Sequence, residues 1–219
     1  MELEGCSTCR VCRGAVLPGN ALCYQCDLAR QVAGGLLADA VAPVAYAVKG
    51  GDLARDLWRY KFGRDPDDAA SGRLRTMLAS FLDGYGDRVW QAARMAGKPH
   101  ALAVVPSGQG RPGRHPLLDV AAAAVDLPLI PLSVPEGSAA HGRYVSTDWL
   151  RVDDLVRTAS ADVLLVDDSW VSGASAQSAA AALKLAGAAR VATVVLGRHV
   201  DPSDPRSAPL VQALSQQET

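Results

Sequence analysis

The chain has 219 residues, 49% of them hydrophobic, with 22 basic and 23 acidic residues and a formal net charge of -1. That composition excludes a disordered chain, and the even charge balance excludes a global pull toward nucleic acid or anionic lipid. The length suits one α/β domain with its own core plus a small appendage.

The N-terminal stretch MELEGCSTCR has neither a basic lead nor an apolar core, so it does not read as a secretory leader. No apolar run is long enough to span a bilayer, and a cytoplasmic location is expected. All five cysteines lie within the first 26 residues. Cys9-x-x-Cys12 and Cys23-x-x-Cys26 form two pairs, each able to present two thiolates to a tetrahedral Zn2+. Four ligands close such a site, so the zinc is expected to be structural, stapling a segment too short to build a core. Cys6 is spare, and a Cys6–Cys9 pair is an alternative. Gly14 suits the turn after Cys12. Residues 1 to about 30 read as loop-like, and the boundaries expected are a four-cysteine module over 1–40, an α/β domain over 41–200 and a flexible polar tail over 201–219.

VAPVAYAV (41–48) reads as a strand. KGGDLARDLWRYKF (49–62) opens with a turn and continues as a helix capped by Asp52, with Leu53, Leu57 and Tyr60 on one face. A second helix is expected over 70–85 from the spacing of Leu74, Met77, Leu78, Phe81 and Leu82. ALAVVPS (101–107) reads as a buried strand followed by a loop, 115–126 as a helix, and 127–134 as a strand interrupted by proline. Residues 135–150 are polar and aperiodic, a long loop of the kind that closes over sites. DVLLVD (162–167) and RVATVVLG (190–197) are strands, with an alanine-rich helix over 175–188 between them. Strands alternating with helices point to a parallel sheet covered on both faces.

The stretch VLLVDDSWVSGAS (163–175) carries the chemistry. Ligands of open parallel sheets bind beyond the carboxyl ends of the strands, where Asp167 and Asp168 are expected. Gly173 lets the chain turn tightly into the next helix. The amides of Gly173, Ala174 and Ser175 at that helix N-terminus, with the hydroxyls of Ser172 and Ser175, form an anion cradle. Two acids beside such a cradle repel a phosphate, but they suit neutral vicinal hydroxyls a few ångströms away. A phosphorylated sugar has that layout.

This stretch resembles the phosphoribosyl-diphosphate (PRPP) motif of type I phosphoribosyltransferases. The resemblance implies that Asp167 and Asp168, the catalytic candidates, hold the ribose 2- and 3-hydroxyls, and that Val171, Ser172, Gly173, Ala174 and Ser175 wrap the 5-phosphate. Val171 stands where a hydroxyl residue is usual and Trp170 where an aliphatic is usual. Together with the cysteine pairs and YAVKGGDLARDLWRYKFGRD, the chain from about 9 to 198 resembles the ComF family, linked to bacterial competence and DNA uptake and often called amidophosphoribosyltransferase-like. The fold so implied is a type I phosphoribosyltransferase-like sheet flanked by helices. VVPSGQGRPGR keeps the family's Val-Pro step but lacks its Arg-Gly-Phe-Asn-Gln segment. Mg2+ is implied as the partner of PRPP, bridging diphosphate and ribose oxygens.

The loop after the 101–107 strand fits G-x-G-x-x-G at 108–113, yet Pro112 and Pro116 interrupt the helix a dinucleotide site needs. Ser107, Gly108 and Arg114 read better as contacts to a diphosphate, with a plain solvated loop as the alternative. Lys61 is either a phosphate contact or a surface lysine. Trp58 and Trp90 read as core or interface residues, and Trp149 as a packing residue. Two function classes follow: a phosphoribosyltransferase-like enzyme, or a non-catalytic protein whose cysteine module docks a DNA-processing partner or single-stranded DNA.

Overall fold

The computed structural model describes residues 7–62, 69–107, 115–136 and 142–216. Among them, in chain order, are helix α1 (Tyr24–Ala33), strand β1 (Ala40–Val48), helices α2 (Asp52–Phe62) and α3 (Ala69–Ala92), strand β2 (Ala101–Val104), helix α4 (Pro116–Ala124), short strands β3 (Leu132–Ser133) and β4 (Arg151–Val152), the single turn α5 (Leu155–Thr158), strand β5 (Asp162–Trp170), helix α6 (Ala174–Leu185), strand β6 (Arg190–Val200) and helix α7 (Ala208–Ser215).

Among the described residues the main sheet has the strand order β1-β6-β5-β2, and every pairing in it is parallel. The alternation expected of a strand sorts β5 and β6 onto two cores. Val163, Leu165, Val191 and Val195 pack against α6 and the cysteine segment. Leu164, Val166, Val194 and Leu196 pack against Leu57 and Tyr60 of α2, Leu74 and Leu78 of α3, and Leu117 of α4. Alanines make α6 slim enough to lie close on the sheet, and nearly all of its length is buried. Pro43 is tolerated in β1 because that strand has β6 as a partner on one side only.

Three local expectations are corrected. The expected strand over 127–134 shrinks to a single parallel bridge of Leu129 with Leu102, then the β3–β4 pair. Pro128 and Pro131 lack the N–H donors that a continuous ladder needs. The cysteine segment, expected to be loop throughout, contains α1. The tail expected to fray carries α7, where Leu210 is 1% exposed and packs with Val200. The sheet is therefore the inner layer between α6 with the cysteine segment and the α2–α3–α4 layer.

Candidate functional site

Strand β5 runs through both acids. On the β6 side the ladder continues past Val166↔Val194 to Asp167↔Val195, Ser169↔Gly197 and Trp170↔Arg198. On the other side β2 ends at Val104, and Val105 N–H donates to the Val166 carbonyl at 3.0 Å. The acids thus stand where β5 outruns its neighbour, past the strand end on one side only. Both are buried, Asp167 7% and Asp168 5% exposed.

Asp168 meets α2. The Tyr60 hydroxyl donates to its Oδ2, and Lys61 Nζ lies 2.7 Å from Oδ1. Helix α2 is itself pinned to α3, because Arg73 forks onto Asp56 at 2.6 and 2.7 Å. The Arg73 hydrogen bonds hold the Asp56 carboxyl below its ordinary range. Asp167 accepts the N–H of Asp168 at 2.8 Å. Burial pushes its pKa up to about 8, and the neighbouring Asp168 pushes the same way, against the pull of Lys61. The raised value favours the protonated form of Asp167, next to the Asp168–Lys61 pair.

The tight turn expected at Gly173 is left-handed, with φ of 82°. The residue is also the seat of the Trp170 indole: a Cβ built at Gly173 would lie 2.2 Å from Trp170 Cζ2. Trp170 is 1% exposed and shares a core with Cys9, Cys12 and Cys26. Arg198 donates to the Trp170 carbonyl at 2.9 Å, and its guanidinium fills the space beside Gly14. Gly14 is thus needed for room, since the left-handed residue of that turn is Arg13, with φ of 59°.

The anion cradle is covered. Ala174 N–H donates to Ser172 Oγ at 3.3 Å, Gly173 and Ala174 are buried, and Val171 is half exposed. Between Ser172 and Ala174 on one side, and α1 with Arg143, Tyr144 and Val145 on the other, there remains a cavity of ≈10 Å³, about the size of one water. Ser146 N–H donates to Ser178 Oγ at 2.9 Å, tying this segment to α6. The described part of the expected closing loop, 142–150, lies over the helix N-terminus, with Trp149 packed at 3% exposure. Ser107 is half-buried just beyond β2. Gly108 and Arg114 lie outside the described residues.

The Tyr60 hydroxyl is a contributor that the apolar-face expectation misses, although a buried phenol needs a partner for its hydroxyl and that need is the signal. Trp170 stands out in the sequence as a departure from a pattern; its seat against Gly173 needed the tertiary structure.

The second cluster is a candidate metal centre. The sulfurs of Cys9, Cys12, Cys23 and Cys26 all lie within 4.8 Å of one another. Cys23 caps α1 and Cys26 sits in its first turn, while Cys9 N–H donates to the Gly14 carbonyl at 2.7 Å. A tetrahedral zinc with Zn–S bonds of ~2.3 Å sets sulfurs ~3.8 Å apart, and Cys12 and Cys23 are at 3.7 Å. The Cys12 thiol hydrogen-bonds hold Cys9 well below its ordinary value and Cys23 at about 6; the bond with Cys23 pushes Cys12 up, and the bond with Cys12 pushes Cys26 up. Four thiols this close would repel one another as thiolates, and a dication would relieve that crowding. The donor set suits zinc. Metal analysis of the purified protein is expected to give about one ion per chain, lost in Cys23→Ser. A metal-free wild type that unfolds at the same temperature with and without a chelator would rule the centre out.

These features define a parallel α/β sheet covered on both faces, with buried paired acids at one strand end and a four-cysteine cluster packed in the core on the α6 side. No protein-family model matches the sequence, and no curated protein matches it. Among solved structures the chain is similar to one described as the allosteric regulatory enzyme of purine biosynthesis, at 18% identity over 64% of this chain, with a TM-score of 0.39; the match spans 30% of that enzyme's chain. It is also similar to a purine phosphoribosyltransferase from Pyrococcus horikoshii Ot3, at 18% identity over 61% of this chain and 88% of that one, with a TM-score of 0.35. Among the described residues no helix is long and apolar enough to cross a membrane.

Proposed function

We propose that the protein binds PRPP or a related ribose phosphate and is phosphoribosyltransferase-like. The observation that carries this reading is the pair of buried acids where β5 outruns β2, directly before a left-handed glycine turn that opens α6. The ribose hydroxyls would compete with Tyr60 and Lys61 for Asp168, and protonated Asp167 can both donate to and accept from a hydroxyl. The 5-phosphate would take the amides at the start of α6 once residues 142–146 move aside. A lysine-paired acid and a protonated one do not hold a hard cation by themselves, so Mg2+ would remain a ligand of the PRPP oxygens. Displacement of diphosphate by an acceptor would then rest on positioning and on stabilising the leaving charge.

Calorimetric titration with PRPP tests this. Micromolar binding is expected with Mg2+, and Asp168→Asn is expected to weaken it roughly 10- to 100-fold. Diphosphate release with candidate acceptors then tests turnover.

A second reading is favoured by the Tyr60–Asp168–Lys61 cluster and the indole on Gly173. In it the acids are structural, the protein is non-catalytic, and the cysteine module docks a DNA-processing protein or single-stranded DNA in competence or recombination. It predicts no PRPP binding and a DNA affinity that falls steeply with salt.

A further inference from the structure

A hollow of ≈530 Å³ opens over the carboxyl ends of β1, β6 and β5, walled by α2 and floored by Ala47, Ser169 and His199. That is the size of a small organic ligand. Lys49, Arg55, Arg59 and Lys61 line it, and no described lining residue is acidic. Lys49 pairs with Asp201 and Arg55 with Asp52; both cations are more than half exposed, and so is Asp52, while Asp201 is 35% exposed. Exposed pairs of this kind are weak and exchange readily for a ligand's oxygens.

The aromatic content of the wall is unusual for a solvated helix face. Trp58 is 62% and Phe62 49% exposed, one turn apart on α2, with ring centroids 5.5 Å apart and planes at 27°. Sequence reading put Trp58 in a core or interface; here it stands in water beside cationic side chains. A flat ring laid against this pair buries apolar area that the fold leaves open, and an anionic substituent on that ring meets the lysines and arginines. The hollow borders the acids: Lys61 lines it while bonding Asp168, and Ser169 follows Asp168 on β5.

We propose that this hollow binds a planar aromatic ring bearing negative charge, as the second substrate of the site. Its role as second substrate rests on the phosphoribosyl reading above; the binding itself rests on the hollow alone. An acceptor as small as ammonia would use neither the aromatic wall nor the four cations.

The test is equilibrium binding of three probes to the full chain without PRPP. 2-Aminobenzoate carries ring and charge, aniline the ring alone, and cyclohexanecarboxylate the charge on a puckered ring. 2-Aminobenzoate is expected to bind about tenfold more tightly than either, and Trp58→Ala and Arg59→Ala are each expected to weaken it about tenfold. Both replaced side chains are exposed, so unchanged thermal unfolding should accompany the loss. Equal binding of the three probes, no binding at all, or wild-type affinity in both variants overturns the proposal. A parallel PRPP titration separates the two ideas. PRPP binding without 2-aminobenzoate binding sinks the ring site alone, and the reverse keeps the ring site and sinks the sugar site.

Discussion

Gly173→Ala is expected to lower stability by about 2–5 kcal/mol, as a shift in the urea midpoint at constant slope. Two separate effects converge on this residue. Its φ of 82° lies in the region where an L side chain meets the following carbonyl, worth about 1–2 kcal/mol for alanine. Its missing Cβ would sit 2.2 Å from one indole carbon of Trp170 and 2.3 Å from another, well inside contact distance. The indole has no easy retreat, because it is 1% exposed and buried in the same core as Cys9, Cys12 and Cys26. Overpacking of that kind costs about 1–3 kcal/mol. Small domains are stable by only about 5–15 kcal/mol, so the loss is a large share of the total. The two effects are separable. Adding Trp170→Leu to Gly173→Ala removes the collision and leaves the backbone strain, so the double variant should lose less than the sum of the singles. A Gly173→Ala protein that unfolds at the wild-type midpoint would mean that the indole does not lie against the turn.

That seat explains what sequence could and could not disclose. The long strands were legible because parallel strands buried on both faces are continuous apolar runs, as in DVLLVD and RVATVVLG. The cysteine cluster was legible because metal ligation constrains spacing, and the structure brings the sulfurs of both pairs together. The adjacency of Asp167, Asp168 and the Gly173 turn is likewise local in the chain. The partners of the acids are not local. Tyr60 and Lys61 reach Asp168 across more than a hundred residues, through the packing of α2 on the sheet and its Arg73–Asp56 tether. The same holds for the cover over the cradle, since α1 and residues 143–145 close on Ser172 from two distant stretches. Helix α1 was missed for a different reason: its early cysteines read as loop, although Cys23 sits at the cap where the metal cluster begins. Helix α7 was missed because polar and proline residues surround the single deeply buried anchor, Leu210.

The second large effect concerns pH. Asp167→Asn is expected to flatten the fall in stability between pH 5 and pH 8 and to leave the variant more stable than wild type at pH 8, by up to about 4 kcal/mol. The sign follows from the direction of the shift. Burial raises the folded-state pKa of Asp167 from 3.8 to about 8, so between those values the folded chain keeps a proton that the unfolded chain has released. Stability is then full below the unfolded value and declines as pH rises toward the folded one, by up to about 1.4 kcal/mol per pH unit. Asparagine keeps the shape and an oxygen to accept the Asp168 N–H, but it has no charge to bury. Urea unfolding at pH 5, 6.5 and 8 checks this, and parallel profiles for wild type and variant would show Asp167 to be an ordinary ionised carboxylate. The ion pair supplies an internal control. Lys61 pulls the Asp167 pKa down, so Lys61→Met should carry the decline on to higher pH rather than flatten it, while also loosening Asp168 from α2. The same proton links stability to ligand binding. A ribose hydroxyl that accepts from protonated Asp167 favours the protonated acid, so PRPP binding at pH 8 should take up protons from the buffer, whereas binding to Asp167→Asn should take up fewer. Calorimetry in two buffers of different ionisation enthalpy reads that difference directly.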